Sequence, residues 1–475
     1  MSSSSIEKQT DSETLYDEKL EKRFVRKLDY IYVMPFVAIL NFLQFFDKSA
    51  LNYSSVLNLK EDTNVNGSQY SWLGSIFYLG YLLYQGPNAV LIQRIPLTKY
   101  IALLIMLWGM VLAVTSEAKN FSQLAALRFL LGFFEAGIYP CCIILISTMY
   151  RRREQAGRLG VVYICNGLAM AFGGLIGYGV GNMTDVRDKS PWQWLMIILG
   201  SITVFFGVFC FFLLVDDPKS RLLHLTPEEE KLVADRSLDN AVVRTKVVKT
   251  AHMFEALREP RFYCFFFASM LVNFQNGAMN TFSSIITTGF GFSSLNAILL
   301  SIPSGVADCI FIVIAVWYNR KYGQTIYLAC AFLVLAIVGL ILLVVIPKPQ
   351  VKLLGLYLSW SYCASYTMIL VCVANNVSGY TKKIFYSSGI IVGYTIGNFV
   401  GPLMMVDWQK PLYLGGMIAY MASDAICICL LLFARYSMNK TNQAKSTLPQ
   451  QQTPANPEKM DDLTDREDPN FYYRL

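Results

Sequence analysis

The chain has 475 residues, 54% of them hydrophobic and only 15% charged, with a mean hydropathy of +0.41. A charged share so far below the roughly 25% of soluble domains excludes an ordinary soluble enzyme. The net charge of +7 would suit a nucleic-acid partner, but its placement along the chain argues for something else.

Residues 1–29 are polar and charged, without the apolar core of a cleaved signal peptide. They read as a disordered tail that becomes helical just before the membrane. Apolar runs of about 20 residues, the length that crosses a bilayer as a helix, then follow at 30–50, 70–92, 99–116, 122–149, 159–181 and 193–215. A polar linker occupies 216–260, and six more runs read as 262–288, 295–318, 325–346, 352–376, 384–406 and 412–434. The short alternating segments of a β-barrel are absent. The expected fold is an all-α membrane protein of twelve transmembrane helices. It divides into a tail (1–29), a six-helix bundle (30–215), a linker (216–260), a second bundle (261–434) and a second tail (435–475).

Charge placement supports that count. With the tails, the linker and the even-numbered loops on one side, that side holds roughly 31 Lys and Arg and the other roughly 7. Such a bias puts both tails and the linker in the cytoplasm. The basic excess is therefore an orientation signal rather than a nucleic-acid patch. The two cations left over, Lys48 and Arg128, lie inside apolar runs.

Local motifs are few. Thr226-Pro227-Glu228-Glu229 reads as a capping box opening a short linker helix that runs to about Leu238. Sequons at Asn66, Asn120 and Asn182 fall in loops on the outer side. Glycines cluster in the fifth run (Gly173, Gly174, Gly177, Gly179, Gly181) and recur every four residues in the eleventh (Gly389, Gly393, Gly397, Gly401), a spacing that lets helices approach closely. Eleven scattered cysteines read as small apolar residues. The two histidines, His224 and His252, lie in the linker, so neither a metal site nor a cofactor is expected.

The chemistry rests on charges at membrane depth, which are costly and usually mark a pathway. Arg128 and Glu135 are seven residues apart, so they share a helix face about 10.5 Å apart along the axis. Asp47 and Lys48 sit near the end of the first run. A carboxylate in a low-dielectric site takes up a proton unless a cation holds it ionised. A fixed cation in the same site attracts an anion, and the anion's arrival weakens that hold. Anion uptake and proton uptake are then linked. The competing reading is an ion-pair network that only ties the first and fourth helices together. The second half carries Asp308 and Asp424 at depth without a cation. It also carries uncharged polar groups suited to a ligand's neutral parts: Asn273, Gln275, Asn276, Asn280 and Thr281, then Trp360, Ser361, Tyr362 and Tyr366, then Asn398.

Several stretches resemble one family. FLQFFDKSALNYSSV, YLLYQGPNAVLIQRIPLTKY, RFLLGFFEAGIYP with the following MYRRREQAGR, NNVSGYTKK, GYTIGNFVGP and DLTDREDPNFYYRL are similar to motifs of the major facilitator superfamily. Within it they resemble the anion:cation symporters and their fungal allantoate-permease branch. The resemblance implies alternating access around a central site. It implies proton carriage by Asp47 and Glu135 with Arg128 as their pairing cation, and contact of the anion with Lys48. Tyr81 and Asn398 match substrate-contacting positions, and Asn276 and Trp360 join them as candidates. Lys48 departs from the family's more usual Arg and loses bidentate geometry, and Thr98-Lys99 departs from the usual Gly-Arg of the loop. The expected function is proton-coupled uptake of a small organic anion, such as a carboxylate, ureido acid, vitamin or sulfonate, by a monomer in the plasma membrane, with an internal membrane as the alternative. The alternative is a nutrient sensor on a transporter fold. No nucleophile–base or metal cluster lies in the helices, so an enzyme is not expected.

Overall fold

The computed structural model describes residues 19–183, 187–239, 249–446, 463–468 and 471–475. The described residues are helical apart from turns and loops. Twelve long helices fill the positions read from the sequence. In the first half they are α1 (Met34–Ser54), α2 (Gly67–Arg94), α3 (Leu97–Thr115), α4 (Phe121–Glu135 continuing as Ile138–Met149), α5 (Arg152–Gly181) and α6 (Pro191–Leu213). In the second half they are α7 (Pro260–Gly289), α8 (Ser294–Leu299 continuing as Ser301–Tyr322) and α9 (Thr325–Val345). There follow α10 (Pro349–Ser359 continuing as Tyr362–Asn376), α11 (Tyr380–Val400) and α12 (Leu414–Ser446).

Ten of the twelve are long and apolar enough to cross a membrane on composition alone. The two that are not, α2 and α7, pack across the divide between the halves. Both carry polar residues within their spans; on α7 Thr281 meets Tyr70 of the other half, whereas Asn276 and Asn280 bond within their own half. Boundaries shift by a few residues throughout, and the largest shifts are at two helices. Helix α5 begins at Arg152, several residues early, because Glu154 accepts from the backbone N–H of Arg151 and starts the helix inside the charged loop. Helix α12 runs on to Ser446, well past its apolar stretch.

The capping box at Thr226 forms: Glu229 N–H donates to Thr226 Oγ1 at 3.3 Å and Thr226 N–H to Glu229 Oε2 at 3.1 Å, opening a helix over Pro227–Asp239. A second linker helix spans Thr250–Leu257. Asn66 and Asn120 each cap a helix, accepting from the backbone of Gln69 and Gln123. Those two residues thus have a structural role apart from their sequons, and the third sequon, at Asn182, runs onto Thr184 outside the described residues. In α4, Pro140 lacks the N–H that would bond to Ala136, and the helix is interrupted there, directly after Glu135.

Ionic clusters tie each half together at the end where the tails lie. In the first half Arg236 of the linker helix meets Glu21 and Glu154 at 2.8 and 2.7 Å, Lys27 meets Glu229 at 2.7 Å and Arg158 meets Asp29 at 2.7 Å. In the second half, within the segment read as a tail from 435, residues 463–468 and 471–475 dock against the helices. Asp465 lies between Arg261 of α7 and Lys382 of α11, at 2.8 Å from each. Asn376 exchanges two hydrogen bonds with the backbone of Arg474, and Asn442 two with that of Tyr473.

Contacts between the halves include a set at the opposite end. Asn52 of α1 donates to Ser283 Oγ at 2.8 Å and accepts from Ser284 N–H at 2.9 Å. The Tyr70 hydroxyl donates to Thr281 O at 2.8 Å, and the Ser71 hydroxyl to Met405 O at 3.2 Å. Helix α5 packs along α8. The halves are thus joined at the end remote from the tails.

Candidate functional site

The four charges read from the sequence come together between α1 and α4. Their partners are crossed relative to the chain. Lys48 Nζ lies 2.9 Å from Glu135 Oε1 of α4, rather than pairing with its neighbour Asp47. Adjacent residues on a helix diverge by about 100°, so Asp47 and Lys48 point to different places. Asp47 accepts a 2.7 Å hydrogen bond from the Trp108 indole of α3. Arg128, on the same face of α4 as Glu135, is the other cation near Asp47. All four sit among the buried or nearly buried side chains.

Exposure separates them. The Lys48 side chain is 14% exposed and Glu135 is 0% exposed. A ligand reaching this cluster therefore meets Lys48 before the acids. Much of the cluster's hydrogen-bonding capacity is unmet: Asp47 Oδ1, Arg128 Nη2 and both Glu135 oxygens have no hydrogen-bond partner. The approach of Lys48 to Glu135 is close enough for a charge pair without the alignment of a hydrogen bond. Buried polar atoms are normally satisfied, so four unmet ones in one cluster set it apart.

Aromatic rings surround the cation. The Phe77 ring centroid lies 6.0 Å from Lys48 Nζ, and Tyr78, Tyr81 and Tyr394 are its electrostatic neighbours. Tyr78 of α2 meets Tyr394 of α11 at 6.3 Å between ring centroids, and Tyr394 stacks on Tyr366 of α10 at 5.9 Å. Lys48 thus lies where both halves contribute side chains. Tyr81, expected from the sequence, is part of this surround.

The other expected residues are placed differently. Asn398 is fully enclosed: its Oδ1 accepts from Asn276 at 2.8 Å, and its Nδ2 donates to Asn273 at 3.2 Å and to Tyr394 O at 2.8 Å. Asn276 Oδ1 also accepts from Tyr362 and Asn280, each at 2.9 Å. In this conformation these amides bond helices α7, α10 and α11 to one another. Gln275 donates to Ser359 O, Ser361 to Phe332 O and Thr281 to Gly277 O, likewise between or within helices. Trp360 is wholly buried with its ring 5.7 Å from that of Tyr362, and its indole N–H has no partner. Asn398 and Trp360 present no surface here, whereas Asn276 retains a sliver.

Four residues of the cluster escape sequence reasoning: Trp108, Phe77, Tyr78 and Tyr394. An indole in an apolar run reads as packing. Tyr394 had one available signal, its position one turn before Asn398 on the same helix.

The comparisons with known proteins agree with this architecture. The Major Facilitator Superfamily profile matches residues 37–383. An uncharacterized transporter of Schizosaccharomyces pombe is 32% identical, over 97% of this chain and 93% of the relative. The allantoate permease of Saccharomyces cerevisiae is 31% identical, over 94% of this chain and 86% of the permease. Among solved structures, the xylose transporter XylE from E. coli, in a partially occluded inward open conformation, superposes with a TM-score of 0.63 at 13% identity. That match covers 85% of this chain and 96% of XylE, and it shows the fold. This chain is therefore a multi-pass membrane transporter, not an enzyme, and belongs to the Major Facilitator Superfamily, in the branch that includes fungal allantoate permease.

Proposed function

We propose that the chain takes up a small organic anion together with protons by alternating access, as a monomer in the plasma membrane with both tails in the cytoplasm. The observation that carries this reading is the Lys48–Glu135 pair, in which the cation is partly exposed and the acid is sealed. An anion arriving at Lys48 competes with Glu135 for the same positive charge. As Lys48 turns to the ligand, Glu135 is left in a low-dielectric site without its cation and takes up a proton. Loss of the anion to the other side reverses the order. Arg128 and the Trp108 indole hold Asp47, which carries protons beside this exchange. Tyr81 and the Tyr78–Tyr394 pair bear on the ligand as it sits on Lys48, with Asn276 a candidate polar contact from the second half. Asn398 and Trp360 contact substrate only after the amide network rearranges. With the tails cytoplasmic, closure at the end remote from them corresponds to a conformation facing inward.

The relative named allantoate permease makes ureido acids the first class to test, ahead of other carboxylates, vitamins and sulfonates. The experiment is uptake by cells deleted of related permeases, with a panel of organic acids at acidic and neutral external pH. Concentrative uptake that rises with external acidity, accompanied by proton influx, supports the proposal. A transported solute that moves without protons overturns the coupling.

A further inference from the structure

We propose that Asp308 is a further proton-binding site, remote from the four-charge cluster, which exchanges its proton as the α5–α8 seam between the halves opens. The inference rests on the reading of the chain as a proton-driven transporter and adds a carrier to it.

Asp308 lies on α8 and is 2% exposed, and its Oδ1 has no hydrogen-bond partner. The titratable groups that face it are Cys363 and Tyr362 from α10 and Cys309 from its own helix, with Cys165 of α5 beside Cys309. Among the described residues no Lys, Arg or His is paired with it. A carboxylate at membrane depth with neither a cation nor a full set of donors costs several kcal/mol. Asp308 therefore carries its proton in this conformation.

A buried protonated acid can also be a permanent fixture. What distinguishes Asp308 is the seam beside it. Helices α5 and α8 belong to opposite halves and touch through glycine backbone. A Cβ built on Gly167 would lie 2.4 Å from Cys309 Sγ and 2.8 Å from Gly305 O, and one on Gly305 would lie 2.5 Å from Gly167 O. Cys309 Sγ lies 3.7 Å from Ile164 O as its donor. Gly305 and Cys309 flank Asp308 along α8, so its neighbours on the helix are the contact points of the two halves. Alternating access moves the halves against each other, and this seam has to slide or part as it does. Asp308 is then hydrated and free to release its proton. Its neighbour Tyr362 donates to Asn276 Oδ1 at 2.9 Å. The acid thus lies beside a group that belongs to the amide network of Asn276 and Asn398.

Asp424 supplies the contrast. Both its oxygens are buried without partners on α12, and its surroundings belong to one half, where Cys427 one turn on bonds to Ala268 O of α7. No seam passes it, and it keeps its proton throughout.

The test needs no transported solute. The full chain is reconstituted in liposomes, and the carboxyl C=O bands are followed by infrared difference spectroscopy between about pH 5 and about pH 9, the range over which buried acids titrate. A band that titrates in the wild type, is lost in Asp308→Asn, and persists in both Asp424→Asn and Glu135→Gln is the expected result. Asp308→Glu keeps an acid at the site and shifts the same band, which covers an Asn variant that fails to fold. Identical titrating bands in wild type, Asp308→Asn and Asp308→Glu would show that Asp308 never changes its protonation, and would overturn the proposal. If the Glu135 band titrates and none belongs to Asp308, this inference alone fails. If no carboxyl titrates at all, the proton-coupled reading fails with it.

Discussion

On the proposed mechanism Lys48 serves two partners, and substitutions there and at Glu135 separate its duties. Lys48→Ala would remove the charge proposed to draw the anion and would strand Glu135. Losing one member of a buried charge pair costs about 2–5 kcal/mol, so the KM for the transported anion should rise at least about tenfold, as measured by initial uptake rates. An unchanged KM would mean that the anion does not sit on Lys48. Trp108→Phe keeps the ring but removes the 2.7 Å hydrogen bond to Asp47. A bond to a charged acceptor is worth about 1.5–3 kcal/mol, and proton-driven uptake should fall roughly tenfold or more. A variant that transported at the wild-type rate would leave the indole with a packing role only. The share of the site legible in the sequence follows from the same chemistry. Arg128 and Glu135 stand out because full charges in an apolar run are costly and seven residues return to one helix face. Trp108 does not, since burial of an indole looks the same whether or not its N–H is used. The crossing of partners between α1 and α4 was also hidden, because spacing fixes directions within one helix and not the rotation of one helix against another.

At the scale of helices, the two glycine sets turn out to do different things. Those of α11 form a ladder along α7. A Cβ on Gly393, Gly397 or Gly401 would fall 2.7, 2.3 and 2.1 Å from the carbonyl oxygens of Phe266, Met270 and Phe274, successive positions four residues apart within one half. Those of α5 face the other half as well, Gly174 against Ser301 and Gly181 against Leu295. Four-residue spacing reveals close approach but not which helix approaches, so this division was not readable beforehand. Gly132 gives a stability test. A Cβ there would lie 1.9 Å from Phe77 O of α2, so Gly132→Ala should force α2 and α4 apart and lower the thermal midpoint in detergent by several degrees, as overpacking costs about 1–3 kcal/mol. An unshifted midpoint would mean that the helices separate without cost.

The docking of the tail was not legible in its sequence: a polar run gives no sign that Asp465 is a buried ion between helices. Burial alone would push its carboxyl up, but Arg261 and Lys382 outweigh that and hold it at about 2. A depressed carboxyl stabilises docking above its unfolded value of about 3.9, and that contribution is lost as the pH falls from about 4 towards 2. Hydrogen exchange at the amides of Asp468, Tyr473 and Arg474, which bond to Thr464, Asn442 and Asn376, should therefore stay protected from about pH 8 to about pH 5. Asp465→Asn should lose that protection at neutral pH. Equal protection in the variant would mean that the ion pairs do not hold the segment.

At the scale of the whole molecule, two halves fastened internally at the tail end and to each other at the far end make a device that can rock. Asn52 contributes two of the far-end hydrogen bonds. At about 1 kcal/mol each, Asn52→Ala should shift the balance of the two conformations roughly thirtyfold away from the one described here. The shift can be read as faster labelling of a cysteine placed at Thr281 by an impermeant thiol reagent. Labelling no faster than in the parent would indicate that the closure rests on other contacts.

The most direct test of the coupling is to record solute and proton influx together in cells carrying wild type or Glu135→Gln, with allantoate first and the other organic acids after it. With the wild type, protons should enter alongside the anion and uptake should be concentrative and stronger at acidic external pH. Glu135→Gln should lose proton influx and accumulation while still exchanging solute across the membrane. Concentrative uptake by Glu135→Gln at the wild-type rate, with the same proton influx, would contradict the role given to the Lys48–Glu135 pair.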